Sequence, residues 1–372
     1  MTLLLALVLS DLRSDLQAIA AVEPGDQTIA AAAAAVGRLG TGESQTLLPI
    51  AKAMGRSGPL ADNYLRAAFE AVASRAQSLP DDELIAFFND RQNDPRARRL
   101  VYELLLDRGL VTGDSSDDQT LPQPRTDDPS PEMRRDAIDR VLTDGEQVAA
   151  GGDDPTELYL AALPGATLKS QFDELSERLA DSGDAPNYLD HFRFLTDWVI
   201  IGPFDNKDEA NFDKSYPPEQ SRDLNAKYTS DFAGESPTGE TPDELSWTRA
   251  VVDQKTAELN LHDVAANYKG SLFYVVAAFE SDRGQPVQLR LATENAFKLW
   301  LNGELLVARP EYHRSKRFDQ YVVPGTARAG KNEVLIKLLQ NEQTQGWAQE
   351  YDVTVRVTDP NGLAAEVQPV AP

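Results

Sequence analysis

The sequence predicts a multidomain α+β protein, with an N-terminal α-helical repeat region followed by a C-terminal antiparallel β-sandwich. Three observations carry this reading. As far as Ser182-Gly183, apolar residues recur at helical spacing between Asp-Pro and Gly breaks. Beyond that point the apolar period shortens to two. Ala296–Leu301 then alternates cleanly, with Phe297, Leu299 and Leu301 on one face and Lys298 and Trp300 on the other. Asn302-Gly303 supplies the positive-φ pair of a tight hairpin, and Glu304–Ala308 returns as its second strand. A chain of 372 residues suffices for two or three domains. The expected divisions are 1–150 for the helical repeats, 151–190 for a helical hairpin and connector, and 191–372 for the sandwich.

Residues 3–22 read as a helix stopped by Pro24-Gly25-Asp26, followed by helices over Thr28–Leu39 and Gln45–Met54. Leu60–Gln77 places Leu65, Ala68, Phe69, Val72 and Ala76 on one stripe. Pro80-Asp81-Asp82-Glu83 opens the next helix with carboxylates that suit its macrodipole. Asp94-Pro95 opens another over Arg96–Leu106, with Asp as cap and Pro at the first helical position. Asn93-Asp94-Pro95-Arg96-Ala97-Arg98-Arg99 is echoed by the run from Asp127-Asp128-Pro129 to Arg134-Arg135-Asp136-Ala137. That spacing suits a helical-repeat array in which arginines pair with neighbouring carboxylates, although plain helical hairpins carry the same pattern. The stretch 113–126 reads as a polar loop, and Met133–Val148, Thr156–Leu163 and Leu168–Leu179 as helices.

Strands are expected over Phe192–Ile201, Trp247–Val252, Gly270–Glu280, Val287–Thr293 and Val334–Leu339, and over Gln349–Thr358. Ala329-Gly330-Lys331-Asn332 reads as a turn. The polar, Pro/Gly-rich stretch Lys207–Asp243 is expected to wrap the sandwich, and the Pro/Ala-rich end to be loose.

Taken together, the Asp-Pro-led hairpins, Trp198 to Asn206, Tyr216-Pro217-Pro218-Glu219, Trp300 to Glu304, and Asn341-Glu342-Gln343-Thr344 with Trp347-Ala348-Gln349 resemble a group of uncharacterised bacterial proteins. That group couples a HEAT-like helical region to a galactose-binding-like sandwich of jelly-roll type. The strand order also resembles the sugar-binding domain of family 2 glycoside hydrolases. The resemblance is strongest from Trp198 onward and implies architecture and an extracytoplasmic (periplasmic or secreted) location. It brings no settled activity. The catalytic barrel of those hydrolases has no counterpart in this sequence, so their glutamates do not carry over.

The net charge of −24, from 60 acidic against 36 basic residues, disfavours nucleic acid and anionic membrane surfaces as partners. Without cysteine there is no disulfide, thiolate metal site or Cys nucleophile. Leu3–Leu9 is too short to span a membrane, and no basic residue precedes it as in a secretory signal. An amphipathic helix is the expectation there, and a cytoplasmic location is compatible with it. The motifs of serine hydrolases, zinc proteases and nucleotide-binding loops are absent. A non-catalytic protein is therefore expected.

Two segments carry the candidate ligand site. Tyr312, His313 and Arg314 offer an aromatic face, an imidazole and a guanidinium. Asn341, Glu342, Gln343 and Trp347 have the polar-plus-indole composition of a carbohydrate-binding rim. The bland alternative is a pair of satisfied loops. Asp205 and Asn206 are the candidate oxygen ligands for a structural Ca²⁺, against the alternative of a capped turn; no other cofactor is expected. Trp198 and Trp300 are expected to pack. The function expected is glycan binding through the sandwich loops, with the helices as a protein-docking or spacer surface. The alternatives are a scaffold without glycan affinity and an accessory protein of a glycoside hydrolase.

Overall fold

The computed structural model describes residues 2–25, 27–111 and 123–372. Asp26 and most of the expected loop over 113–126 lie outside them. The chain divides into two compact units, Met1–Ser182 and Gly183–Pro372.

The first unit is helical: α1 (Thr2–Ala20), α2 (Thr28–Leu39), α3 (Leu47–Ala53), α4 (Pro59–Arg75), α5 (Asp81–Asn89), α6 (Pro95–Asp107), α7 (Pro131–Ala150), α8 (Thr156–Ala162) and α9 (Lys169–Leu179). Proline opens α4, α6 and α7 at positions 59, 95 and 131, so successive openings stand 36 residues apart. A ring-fixed φ and a missing N–H cost nothing at the first helical position. Asp94 caps α6 by accepting from the amides of Arg96 and Ala97, and Ser130 caps α7 through Met133.

Four positions into each helix, a charged side chain is buried: Asp62, Arg98 and Arg134. Each leaves its own helix for partners. Asp62 accepts from the Gly55 amide at 2.8 Å. Arg98 donates to the Phe88 carbonyl at 2.8 Å and grips both carboxylate oxygens of Asp128 at 2.9 Å. Arg134 donates to the carbonyls of Asp128 and Gly165 at 2.6 and 3.1 Å. Arg98, Asp128 and Arg134 thus form a continuous polar chain through an otherwise apolar core of Leu65, Phe69, Val72, Val101 and Leu105. Buried charges persist only when paired in this way.

The second unit begins with α10 (Tyr188–Phe192) and β1 (Asp197–Asp205). Phe192 therefore ends a helix, and the expected strand starts later, at Asp197. After β1 come α11 (Pro217–Gln220), β2 (Lys227–Thr229), β3 (Glu244–Ser246), β4 (Thr248–Val251), β5 (Leu259–Asn260) and α12 (Leu261–Val264). The main strands are β6 (Ser271–Ser281), β7 (Gln285–Ala292), β8 (Ala296–Leu301), β9 (Glu304–Arg309), β10 (Tyr321–Ala327), β11 (Gly330–Gln340), β12 (Asp352–Thr358) and β13 (Val367–Val370). The chain end is not loose, because β13 pairs antiparallel with β6. The expected turn at Gly330-Lys331-Asn332 is already strand.

A seven-stranded antiparallel sheet runs β4-β1-β6-β11-β8-β9 with β13 on β6, and a four-stranded sheet runs β10-β7-β12-β5. Phe297 meets Tyr321 across them at 4.9 Å between ring centroids, and the Tyr351 hydroxyl donates to the Leu338 carbonyl at 3.0 Å. Asn302 and Gly303 both take positive φ, at 53° and 84°, as the β8–β9 hairpin requires.

The larger sheet is apolar on both faces, and so both are covered. Its second face holds Val199, Ile201, Leu272, Tyr274, Val276, Trp300, Leu335 and Leu339. The segment 207–247 lies over them with Phe212, Tyr216, Leu224, Tyr228 and Leu245. Lys337, fully buried, fastens this strap by donating from Nζ to the carbonyls of Asn211, Phe212 and Lys214 at 2.9, 2.9 and 2.6 Å. The smaller sheet has its own buried cation. Arg356 holds Asp319 with two bonds of 2.7 and 2.6 Å, its guanidinium against the touching rings of Phe192 and Phe318. Trp198 and Trp300 are both packed away from solvent, as their strand positions imply.

Candidate functional site

Strand register brings three distant loops to one end of the larger sheet. Asp205 of β1 is level with Ser271 of β6, which is level with Gln340 of β11, and Leu339 faces Ala296 of β8. Arg309, the last residue of β9, faces Phe297 at the same end. The segments 206–211, 310–320 and 341–351 therefore start side by side.

Asn206 is buried at their centre and donates from its amide to the Tyr312 hydroxyl at 2.9 Å and to the Gln340 carbonyl at 3.1 Å. Burial holds the Tyr312 hydroxyl well above the ordinary tyrosine range, with Glu209 and Glu342 adding to the effect and the Asn206 bond opposing it. Asn341 donates to a Glu209 carboxylate oxygen at 2.9 Å. Because a carboxylate only accepts, this fixes the amide orientation and turns Oδ1 of Asn341 toward His313, whose Nε2 lies 2.9 Å away. Nε2 of His313 is therefore the protonated nitrogen. Glu342 accepts from the Asp208 amide at 2.6 Å, and the Gln343 amide donates to Asn341 Oδ1 at 3.2 Å.

Trp347 stands over this network with its ring edge-on to His313, at 5.0 Å between centroids and 87° between planes. It is 58% exposed, a large apolar surface left to solvent. Asp208, Glu209 and His313 all hold left-handed backbone conformations, with φ of 55°, 57° and 56°. Asp and His tolerate this region better than most side chains, and Glu209 is the least suited of the three.

The structure thus brings Tyr312, His313, Asn341, Glu342, Gln343 and Trp347 into one cluster. Arg314 is exposed, and its backbone amide donates to the Glu294 carbonyl at 3.2 Å. Asp205 and Asn206 reach the same neighbourhood in other roles. Asp205 Oδ1 accepts from the Ala233 amide at 3.1 Å and Oδ2 from the Asn211 amide group at 2.8 Å. Asn206 Oδ1 accepts from the Asn211 amide at 3.4 Å. Among the described residues, no group of three or more His, Asp or Glu side chains is placed to hold a metal ion. Sequence reasoning missed Asp208 and Glu209. Their signal was slight: two acidic residues just past the strand end at Asp205. What the arrangement offers chemically is an open indole face beside the Gln343 carboxamide and the Glu342 carboxylate, with the His313 Nε2–H already held by the buried Asn341.

No protein-family model matches the chain, and no curated protein matches it in sequence. Among solved structures, a family 35 carbohydrate-binding module from an environmental isolate overlaps 27% of this chain and 71% of its own, at 13% identity and a TM-score of 0.19. The β-glucosidase of Kluyveromyces marxianus in complex with glucose overlaps 79% of this chain and 38% of its own, at 11% identity and 0.25. An alpha-xylosidase of Xanthomonas citri overlaps 31% of this chain and 15% of its own, at 12% identity and 0.17. TM-scores this low carry no argument about shared fold or activity.

Proposed function

We propose that the sheet unit is a non-catalytic carbohydrate-binding module of galactose-binding-like, jelly-roll type, operating outside the cytoplasm. On this reading the helical unit is a HEAT-like array that serves as a protein-docking or spacer surface. The observation that carries the reading is Trp347, exposed above the His313–Asn341–Glu209 chain. An indole face packs on the C–H face of a sugar ring, and the neighbouring carboxamide and carboxylate bond its hydroxyls. The left-handed backbone at His313, Asp208 and Glu209, and the side-chain bonds that hold these loops together, support a rim held in one conformation before a ligand arrives.

A second reading, a scaffold without sugar affinity, is favoured by the same contacts. Tyr312 is already taken by Asn206, and Glu342 by the Asp208 amide. Retention on a panel of insoluble polysaccharides and glycan arrays separates the two. The module reading expects retention that Trp347→Ala and His313→Ala abolish. Absence of retention on every glycan supports the scaffold.

A further inference from the structure

The loop that presents Trp347 is gripped by one short stretch, Lys269-Gly270, just ahead of β6. The Gly270 amide donates to the Asn341 carbonyl at 3.1 Å, where the loop leaves β11. The Lys269 ammonium donates to the Ala348 carbonyl at 3.0 Å, one residue past Trp347. Gly270 holds φ at 63°, and a Cβ there would stand 2.8 Å from a Glu342 carboxylate oxygen. The loop from Asn341 to Ala348 is therefore seated on these two residues at both of its ends.

Lys269 is 4% exposed. A buried ammonium is costly unless a carboxylate pairs with it. Two other lysines drawn into this unit obey that rule. Lys337 lies 3.3 Å from a Glu219 oxygen and reaches three carbonyls. Lys316 sits between Glu258 and Asp352, at 2.6 Å from each. Lys269 breaks it. Among the described residues no carboxylate pairs with its ammonium, which bonds the Ala348 carbonyl instead. Burial pulls this ammonium below the ordinary lysine range, and the attraction of Glu235 only partly opposes the shift. Burial and the Lys269 charge together pull the His262 imidazole down as well, and its buried Nε2 has no hydrogen-bond partner.

The Ala348 carbonyl does not depend on the ammonium. Gln340, fully buried, also donates to it, at 3.2 Å. Asn295, buried beside Gln340, donates to the Glu350 carbonyl at 3.2 Å. Removing Lys269 would strand no acceptor in this turn. What the ammonium adds is a charged hydrogen bond, stronger than a neutral one, on the residue that follows the exposed indole. A costly group kept where the fold does not need it points to function.

We propose that Lys269 is a positioning residue of the rim, which locks the turn Gly346–Ala348 so that Trp347 stays in place against His313, at a cost to the stability of the fold. The purpose of the indole rests on the sugar-binding reading; its placement does not. Lys269→Met separates two properties that usually fall together. It keeps the side-chain volume, removes the buried charge and leaves Ala348 bonded to Gln340. Replacing a buried charge by an apolar group of similar size is neutral or stabilising, so the fold holds or gains while the turn loosens.

The test is fluorine NMR of the full chain with fluorotryptophan at its four tryptophans, Trp347 being assigned by Trp347→Phe. In Lys269→Met the Trp347 resonance is expected to move toward its position in the urea-unfolded chain, while those of Trp198, Trp247 and Trp300 stay. Amides of 345–349 are expected to exchange at least about threefold faster. The urea midpoint read from the Trp198 resonance is expected to be unchanged or higher. Where a glycan retains the wild type, Lys269→Met is expected to weaken that binding at least about threefold through the lost charged hydrogen bond. An unmoved Trp347 resonance, a lower midpoint, or loss of sheet by circular dichroism overturns the proposal. So does a displaced Trp347 resonance with unchanged glycan affinity. A wild type that binds no glycan strikes the sugar-binding reading instead, and the resonances and the midpoint still decide whether Lys269 places the indole.

Discussion

Replacing Lys337 by methionine removes the fastening of the strap and leaves its volume nearly intact. The ammonium is fully buried, donates to three carbonyls and lies 3.3 Å from a Glu219 oxygen, which the Tyr274 hydroxyl also bonds. Stranding three buried carbonyl oxygens costs about 1 kcal/mol each at the lower end of the usual range. Against this, burial pulls the Lys337 ammonium down from 10.5 to about 8. Methionine escapes that burial cost of roughly 3 kcal/mol. The two nearly cancel near neutral pH, and a destabilisation of about 3 kcal/mol is expected once the amine is neutral in both states, read by urea unfolding of the full chain and by faster amide exchange over 207–220.

The pH dependence has a definite sign. Between about 8 and 10.5 the folded state holds fewer protons at Lys337 than the unfolded chain does, so wild-type stability rises with pH relative to the variant. The neutral amine keeps two N–H donors for the carbonyls. The gap between wild type and Lys337→Met should therefore widen across that window. A gap that stays below about 1 kcal/mol at the top of that window refutes the fastening, given what unsatisfied buried acceptors cost. A gap that narrows with rising pH shows that the positive charge, not the N–H donors, holds the strap.

Arg98→Met leaves the Asp128 carboxylate buried without its cation and should destabilise the helical unit by about 3–5 kcal/mol, measured by thermal unfolding. Asp319→Ala should cost a similar amount, about 3–5 kcal/mol, because Arg356 and Arg290 both lose their carboxylate; near-neutral unfolding curves would contradict the staple. Asn302→Ala should cost about 1–2 kcal/mol, since it strains a residue at φ 53° and removes the acceptor of the Glu333 amide. Desolvation pushes the Asp352 carboxyl above the ordinary carboxylate range although Lys316 pulls the other way. Its folded form thus holds more protons than the unfolded chain once pH exceeds 3.8, and that contribution is lost as pH rises through the folded value. Relative to Asp352→Asn, wild-type stability should fall from pH 4 toward neutrality, and a rise would contradict this.

What the sequence showed plainly was what local chemistry decides. The β8–Asn302-Gly303–β9 hairpin follows from alternation and two positive-φ residues, and both lie within a short window. Proline and the Asp94 cap mark α6 in the same way. Misreadings arose where partners lie far along the chain. Phe192 to Ile201 is rich in aromatic and β-branched residues and reads as one strand, yet Phe192 is drawn into α10 to pack on Arg356 and Phe318. Val367–Val370 has no alternation of its own and becomes strand because β6 offers an open edge there. The individual members of the candidate rim were readable as residue types, but their meeting was not. Tyr312 reaches Asn206, and His313 reaches Asn341, only through the register of β1, β6, β11 and β8. Glu209 was invisible because its role is to orient an amide 132 residues away.

Isothermal titration of wild type and Trp347→Ala, with oligosaccharides from any polysaccharide that retains the protein, bears most directly on the sugar-binding assignment. Wild type is expected to bind, and Trp347→Ala to lose about 1–3 kcal/mol or more of that affinity, because the buried contact area of the indole is removed. Equal affinity in the two proteins would place the sugar elsewhere and contradict the assignment.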